Sequence, residues 1–267
     1  MIAGRRRTIA TQRMLGRGPK EIFATGRSPC VVALHGFTGT AGELGAVLGA
    51  VGDAGYAVDA ALLPGHGTAV EQLQEMTFED WIAASRRRVQ AAIEAHGRVV
   101  LLGYSLGSLL AMQIASERPA GLGALIVMSN ALTLGAGSRV PLGLWARSRR
   151  VMPDLYLLKP RPGDLVDRTH EDRILTYDRH PLRAALEVYR AGARVRRVVG
   201  RIACPTLIQH GRRDAVCPWH NAVGLPPLLG TRDVTVALYE RSAHVLGWDG
   251  ERADVAREIV ALLRRIA

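Results

Sequence analysis

Ser105 sits at the centre of Gly103-Tyr104-Ser105-Leu106-Gly107, between an apolar run at 99–102 and a helix-like run at 109–115. Strand, tight turn and helix around a serine make a nucleophile elbow. Glycines two positions to either side leave room for the turn, the hydroxyl stands above the sheet edge, and the next N–H points toward whatever it attacks. A chance match in a chain with 29 glycines is the competing reading. The strand before the motif and the helix after it weigh against chance. A serine hydroxyl alone is a weak nucleophile. It needs a base within hydrogen-bond reach and an acid that orients the base.

Of the eight histidines, His244 is the expected base. It follows the strand-like Val234–Tyr239 through Glu240-Arg241-Ser242-Ala243, on a loop at the strand's carboxyl end. His170, His180 and His220 fall in loops without that position, and His96 ends a helix. Asp214 is the expected acid. It leaves the strand-like run at 205–209 in the loop Gly211-Arg212-Arg213-Asp214, on the same sheet edge. Asp249 and Asp233 compete for the role, but Asp233 precedes its strand and so belongs to the opposite edge. An ion pair with Arg212 or Arg213 is the other reading of Asp214. A tetrahedral intermediate needs two N–H donors aimed at its oxyanion. The Leu106 N–H is one. The Phe37 N–H, in the loop His35-Gly36-Phe37-Thr38-Gly39, is the other. His35 and His66 are expected to fix their loops rather than to do chemistry.

The elements that must position these groups alternate. Strands are expected at 29–34, 56–63, 99–102, 124–128, 205–209 and 234–239, and helices at 43–54, 77–96, 109–115 and 251–266. Thr77-Phe78-Glu79-Asp80 carries a capping-box pattern. Apolar strands alternating with helices imply a mostly parallel sheet covered on both faces. From about 131 to 201 the rhythm stops: five prolines, many arginines and short helical patterns such as Leu182–Arg196 replace it. The apolar Leu142, Leu144, Trp145, Leu155, Tyr156 and Leu157, with Met152, argue for a packed insertion rather than a disordered linker. The expected organisation is therefore a core of 1–130 and 202–267 with an inserted helical cap at 131–201.

A chain of 267 residues with 48% hydrophobic and 22% charged residues suits one soluble globular domain with a sizeable core. No run approaches the roughly 20 apolar residues of a membrane span. Residues 1–18 are basic but lack the apolar stretch and cleavage site of a secretory signal. Cys30, Cys204 and Cys217 form no disulfide framework and no metal spacing, which fits a reducing, cytoplasmic setting. The net charge of +11 invites nucleic acid or an anionic surface. Yet arginines cluster only loosely, at 5–7, 86–88, 147–150 and 194–201, only Lys20 and Lys159 are lysines, and no nucleic-acid module is visible. A solvated basic surface is expected, no nucleic-acid partner, and contact with lipid interfaces stays open.

Taken together, His35-Gly36-Phe37-Thr38-Gly39-Thr40, Pro64-Gly65-His66-Gly67-Thr68, Thr77-Phe78-Glu79-Asp80-Trp81, Gly103-Tyr104-Ser105-Leu106-Gly107, Asp214 and Ser242-Ala243-His244 resemble the α/β-hydrolases of the bacterial monoacylglycerol lipase and small carboxylesterase type. The resemblance covers about residues 28–130 and 200–267; the cap does not match visibly. Ser108 stands where the family often has a second glycine. The resemblance implies an α/β-hydrolase fold and a serine esterase that uses no cofactor and no metal. Its substrate would be a small-molecule ester, a monoacylglycerol or a short-to-medium acyl ester, selected by the cap. Thioesterases, amidases, C–C bond hydrolases, acyltransferases and perhydrolases share the same triad, and a non-catalytic ligand-binding protein could share the fold.

Overall fold

Alternation along the strands decides which layer each residue meets. Cys30, Val32, Leu34, Leu101 and Val127 join one buried cluster, whereas Val31, Ala33, Val100, Leu102, Ile126 and Met128 join another. Strands apolar at both phases need cover on both faces, which a parallel sheet between two helical layers supplies. The computed structural model describes residues 14–148 and 153–267. Residues 1–13, with the first basic cluster, and Arg149, Arg150 and Met152 lie outside the described residues.

In chain order the strands are β1 (Met14–Leu15), β2 (Ile22–Ala24), β3 (Arg27–Leu34), β4 (Tyr56–Ala60), β5 (Val99–Tyr104), β6 (Leu122–Met128), β7 (Tyr156–Leu158), β8 (Thr176–Tyr177), β9 (Arg179–Pro181), β10 (Thr206–Gly211) and β11 (Val234–Tyr239). The helices are α1 (Gly45–Asp53), α2 (Val70–Glu75), α3 (Phe78–His96), α4 (Leu106–Ser116), α5 (Ala136–Ser148), α6 (Leu182–Arg196), α7 (His220–Gly224) and α8 (Arg252–Ile266). Seven strands form the central sheet in the order β11-β10-β6-β5-β3-β4-β2. All neighbours are parallel except β2, which pairs antiparallel with β4 at one edge. Helices α3 and α4 cover one face and α1 and α8 the other. The sheet and its two layers match the α/β-hydrolase fold that the resemblance implies.

Register is what assembles the site. Leu34 pairs with Gly103, Tyr104 and Gln209 both pair with Met128, and Gly211 pairs with Tyr239. Five parallel strands therefore end level, and the loops that leave them share one edge, where open α/β sheets bind ligands.

The expected capping box is present: Asp80 N–H donates to Thr77 Oγ1 (3.3 Å) and Thr77 N–H to Asp80 Oδ2 (2.9 Å). The helix after Ser105 starts at Leu106, three residues before its expected start, because the elbow turns straight into it. The segment at 131–201 is less purely helical than its sequence suggests. Besides α5 and α6 it carries β7 and β9, which pair antiparallel, and β8, which pairs with β1 outside the segment. Strands of two or three residues are too short to show a period of two, and the partner of β8 lies about 160 residues away in the chain.

Candidate active site

The elbow is built by what its glycines lack. A Cβ on Gly103 would overlap the Gly107 carbonyl, and a Cβ on Gly107 would overlap the carbonyls of Leu34 and His35. The first contact packs the start of α4 on the end of β5, and the second packs it on the end of β3. Ser105 itself has φ 53° and ψ −115°, a strained backbone for a residue with a side chain. Its N–H donates to Met128 O (3.1 Å), which ties the turn to β6. Ser108 Oγ donates to Ser105 O (2.6 Å) and accepts the Ala131 N–H (3.2 Å). The departure from glycine at 108 thus adds a tie between the elbow and the start of the inserted segment.

His244 Nε2 lies 3.0 Å from Ser105 Oγ, and its Nδ1 lies 2.7 Å from Asp214 Oδ2. With Nδ1–H donated to the carboxylate, Nε2 is free to accept the serine proton. The His244 loop is fixed from three sides. Ser129 Oγ donates to His244 O (2.6 Å), Ala243 N–H donates to Asp249 Oδ2 (2.7 Å), and the backbone of Ser242 and Ala243 packs on Gly211, where a Cβ would overlap it. Burial pushes the His244 imidazole down, but the Asp214 charge and hydrogen bond outweigh it and hold its pKa above the usual 6.5. Burial likewise pushes the Asp214 carboxyl up. The His244 charge and the hydrogen bonds from His210 and His244 outweigh that and keep it far below the usual carboxylate range.

The competing acids do other work. Asp233 pairs with Arg265 (2.9 Å) at the opposite sheet edge. Asp249 accepts N–H groups of Val166 (3.0 Å), Asp167 (2.8 Å), Ala243 and Gly250 (2.8 Å), buckling the histidine loop to the inserted segment. Arg212 pairs with Glu240 (3.0 Å), and Arg213 donates to Glu240 O (3.2 Å), so the ion-pair reading of Asp214 has no support in the contacts.

Phe37, in the loop that leaves β3, lines the same cavity as Ser105, and Leu106 follows Ser105 at the start of α4. Neither backbone N–H donates to another group among the described residues. His35, completely buried, accepts the Leu63 N–H at Nε2 (2.9 Å) and contacts Gly36 O through Nδ1 (2.9 Å), so it braces two loops. His66 packs edge-on against it, with ring centroids 4.8 Å apart. His180 was expected in a plain loop. It lies instead on β9 with its ring stacked near Phe37 (6.2 Å between centroids) and faces the cavity.

Two supporting residues escape the sequence reading. Glu43, buried beside the loop that leaves β3, accepts the Gly36 N–H (3.1 Å), and burial pushes its pKa up to about 7. A charged residue inside the apolar Ala41-Gly42-Glu43-Leu44 is the signal that could have found it. His210 is the penultimate residue of β10, and its buried Nε2 lies 2.9 Å from the same Asp214 oxygen that His244 uses. Its signal is a histidine one residue from the end of a buried strand, four residues before the acid.

Ser105 and His244 open on a cavity of about 520 Å³. Residues of the inserted segment supply most of its wall, among them Leu142, Trp145, Leu155, Leu157 and Leu182. Among the described residues, no cluster of three or more His, Cys, Asp or Glu side chains is placed to hold a metal, and no helix is long and apolar enough to cross a membrane.

The sequence profile of the family described as serine aminopeptidase, S33, matches residues 27–251. The thermostable monoacylglycerol lipase of Bacillus sp. (strain H-257) is 26% identical over 235 residues, 87% of this chain and 89% of that protein. The carboxylesterase of Bacillus subtilis (strain 168) is 22% identical over 251 residues, 93% of this chain and 97% of that protein. The monoacylglycerol lipase structure of Paleococcus ferrophilus has the same fold, with a TM-score of 0.76 at 24% identity over 92% of this chain and 97% of that one.

Proposed function

Because the chain belongs to the serine aminopeptidase S33 family of α/β-hydrolases, we propose that it hydrolyses carboxylic esters, monoacylglycerols or short-to-medium-chain acyl esters, through an acyl-enzyme on Ser105. The observation that carries this reading is the unbroken path Ser105–His244–Asp214, with links of 3.0 and 2.7 Å, opening on an apolar cavity. Ser105 Oγ attacks the ester carbonyl while His244 Nε2 takes its proton. The N–H groups of Phe37 and Leu106 hold the oxyanion. His244 gives the proton to the departing alcohol as the C–O bond breaks. Water then passes a proton to His244 and its oxygen to the acyl carbon, and Ser105 recovers its proton as the acid leaves. Asp214 stays ionised throughout and steadies the imidazolium.

In this reading residues 131–201 act as a cap over the core and set the acyl length. Val140, Leu144, Leu155, Leu157 and Leu158 of that segment are exposed, and Leu155 and Leu157 also line the cavity. An apolar rim on a basic protein suits peripheral contact with lipid aggregates that carry the substrate. The three free cysteines suit a cytoplasmic enzyme.

A hydrolysis panel tests the reading. It would contain p-nitrophenyl esters and monoacylglycerols of graded chain length, with thioesters and aminoacyl p-nitroanilides as controls. Esters should be turned over with a clear chain-length optimum and the anilides far more slowly. Preferential cleavage of the anilides or thioesters would reject ester hydrolysis as the main activity.

A further inference from the structure

Thr38 follows Phe37 in the oxyanion loop and is fully buried with φ 69°, a left-handed conformation that β-branched residues rarely adopt. Such strain persists only where the surroundings over-determine it. Besides the turn bond that spans it, from Gly39 N–H to Gly36 O (3.3 Å), the hydrogen bonds to Thr38 come from the inserted segment. Tyr177 N–H donates to Thr38 O (3.0 Å), and Thr176 Oγ1 donates to the same carbonyl (2.9 Å). The Thr38 and Thr176 hydroxyls touch at 3.2 Å, and the Lys159 ammonium donates to both, at 3.3 and 2.9 Å. Two residues on, Thr40 Oγ1 shares its proton between Pro19 O (2.9 Å) and Leu175 O (3.2 Å), so the strap at 175–177 also reaches the far side of Gly39.

We propose that Lys159 and Thr176 are positioning residues that hold Thr38 in its strained conformation and so aim the Phe37 N–H at the oxyanion. The insertion would then complete the catalytic apparatus as well as shape the cavity. This rests on the esterase reading above. A preorganised donor acts on the transition state and little on the ground state. Lys159→Met and Thr176→Val should therefore lower kcat roughly 10- to 100-fold with KM nearly unchanged. They should weaken inhibition by a trifluoromethyl ketone by a similar factor and leave the corresponding ether inhibitor unaffected.

Two controls separate this proposal from the reading beneath it. Fluorophosphonate labelling of Ser105 in the unaltered protein decides whether the serine is an activated nucleophile, and the hydrolysis panel decides the esterase reading. The ¹³C shifts of Thr38 report its backbone conformation whether or not any ester is turned over, and they should leave the left-handed range in both folded variants. Unchanged Thr38 shifts, or unchanged kcat and ketone inhibition in a protein that labels normally, would overturn the proposal alone.

Discussion

Asp214 collects four donors. Its Oδ1 accepts the N–H groups of Val216 (2.8 Å) and Cys217 (2.7 Å), and its Oδ2 accepts from His244 (2.7 Å) and His210 (2.9 Å). A carboxylate so surrounded stays charged, and that charge raises the pKa of His244 above 6.5. As the proposed base, His244 works only when neutral, so kcat/KM should fall as pH drops through an apparent pKa above 6.5. Asp214→Asn should lower kcat by up to about ten-thousandfold while the protein stays folded. It should also move the acidic limb to lower pH, because the charge that raises the pKa is gone. A pH–rate profile of both proteins checks this; an unmoved limb would mean that another group orients His244. Ser105, His244 and Asp214 were legible because each follows a recognisable strand. Glu43 and His210 were not. Their roles depend on burial beneath loops that only the fold brings together.

At the scale of elements, the elbow depends on close backbone approach. A Cβ on Gly107 would meet backbone carbonyls that cannot swing aside, whereas one on Gly49, exposed in α1, would meet nothing within 4 Å. Gly107→Ala should therefore cost about 1–3 kcal/mol and most of the activity. Gly49→Ala should instead add about 0.5–1 kcal/mol through helix propensity. Urea unfolding of the two variants checks the contrast; equal effects would mean that the elbow tolerates more room than its packing allows. Val234–Tyr239 and Leu182–Arg196 run as their patterns indicate, whereas the strand expected at 56–63 ends at Ala60 and the helix expected at 43–54 spans Gly45–Asp53. The short β1, β7, β8 and β9 were not readable, because their pairing is set by tertiary position rather than by any local pattern.

For the molecule as a whole, one sheet edge carries the loops that bear Phe37, Ser105, Asp214 and His244, because the parallel strands beneath them end level. This core could be read from its alternation and its motifs. The inserted segment could be recognised only as a break in that rhythm. Its cavity wall and its contacts with the loop that leaves β3 arise between distant parts of the chain. Some of its arginines pair within the segment, as Arg179 does with Asp178 (2.7 Å), whereas Arg183 and Arg194 pair with Glu75 and Glu79 of the core. The account as a whole turns on whether Ser105 is an activated nucleophile. Intact-mass and peptide spectrometry after brief exposure to a fluorophosphonate measures that directly. The expected result is a single adduct on Ser105, absent from Ser105→Ala and strongly slowed in His244→Ala. No adduct on the unaltered protein, or equal labelling of Ser105→Ala, would contradict it.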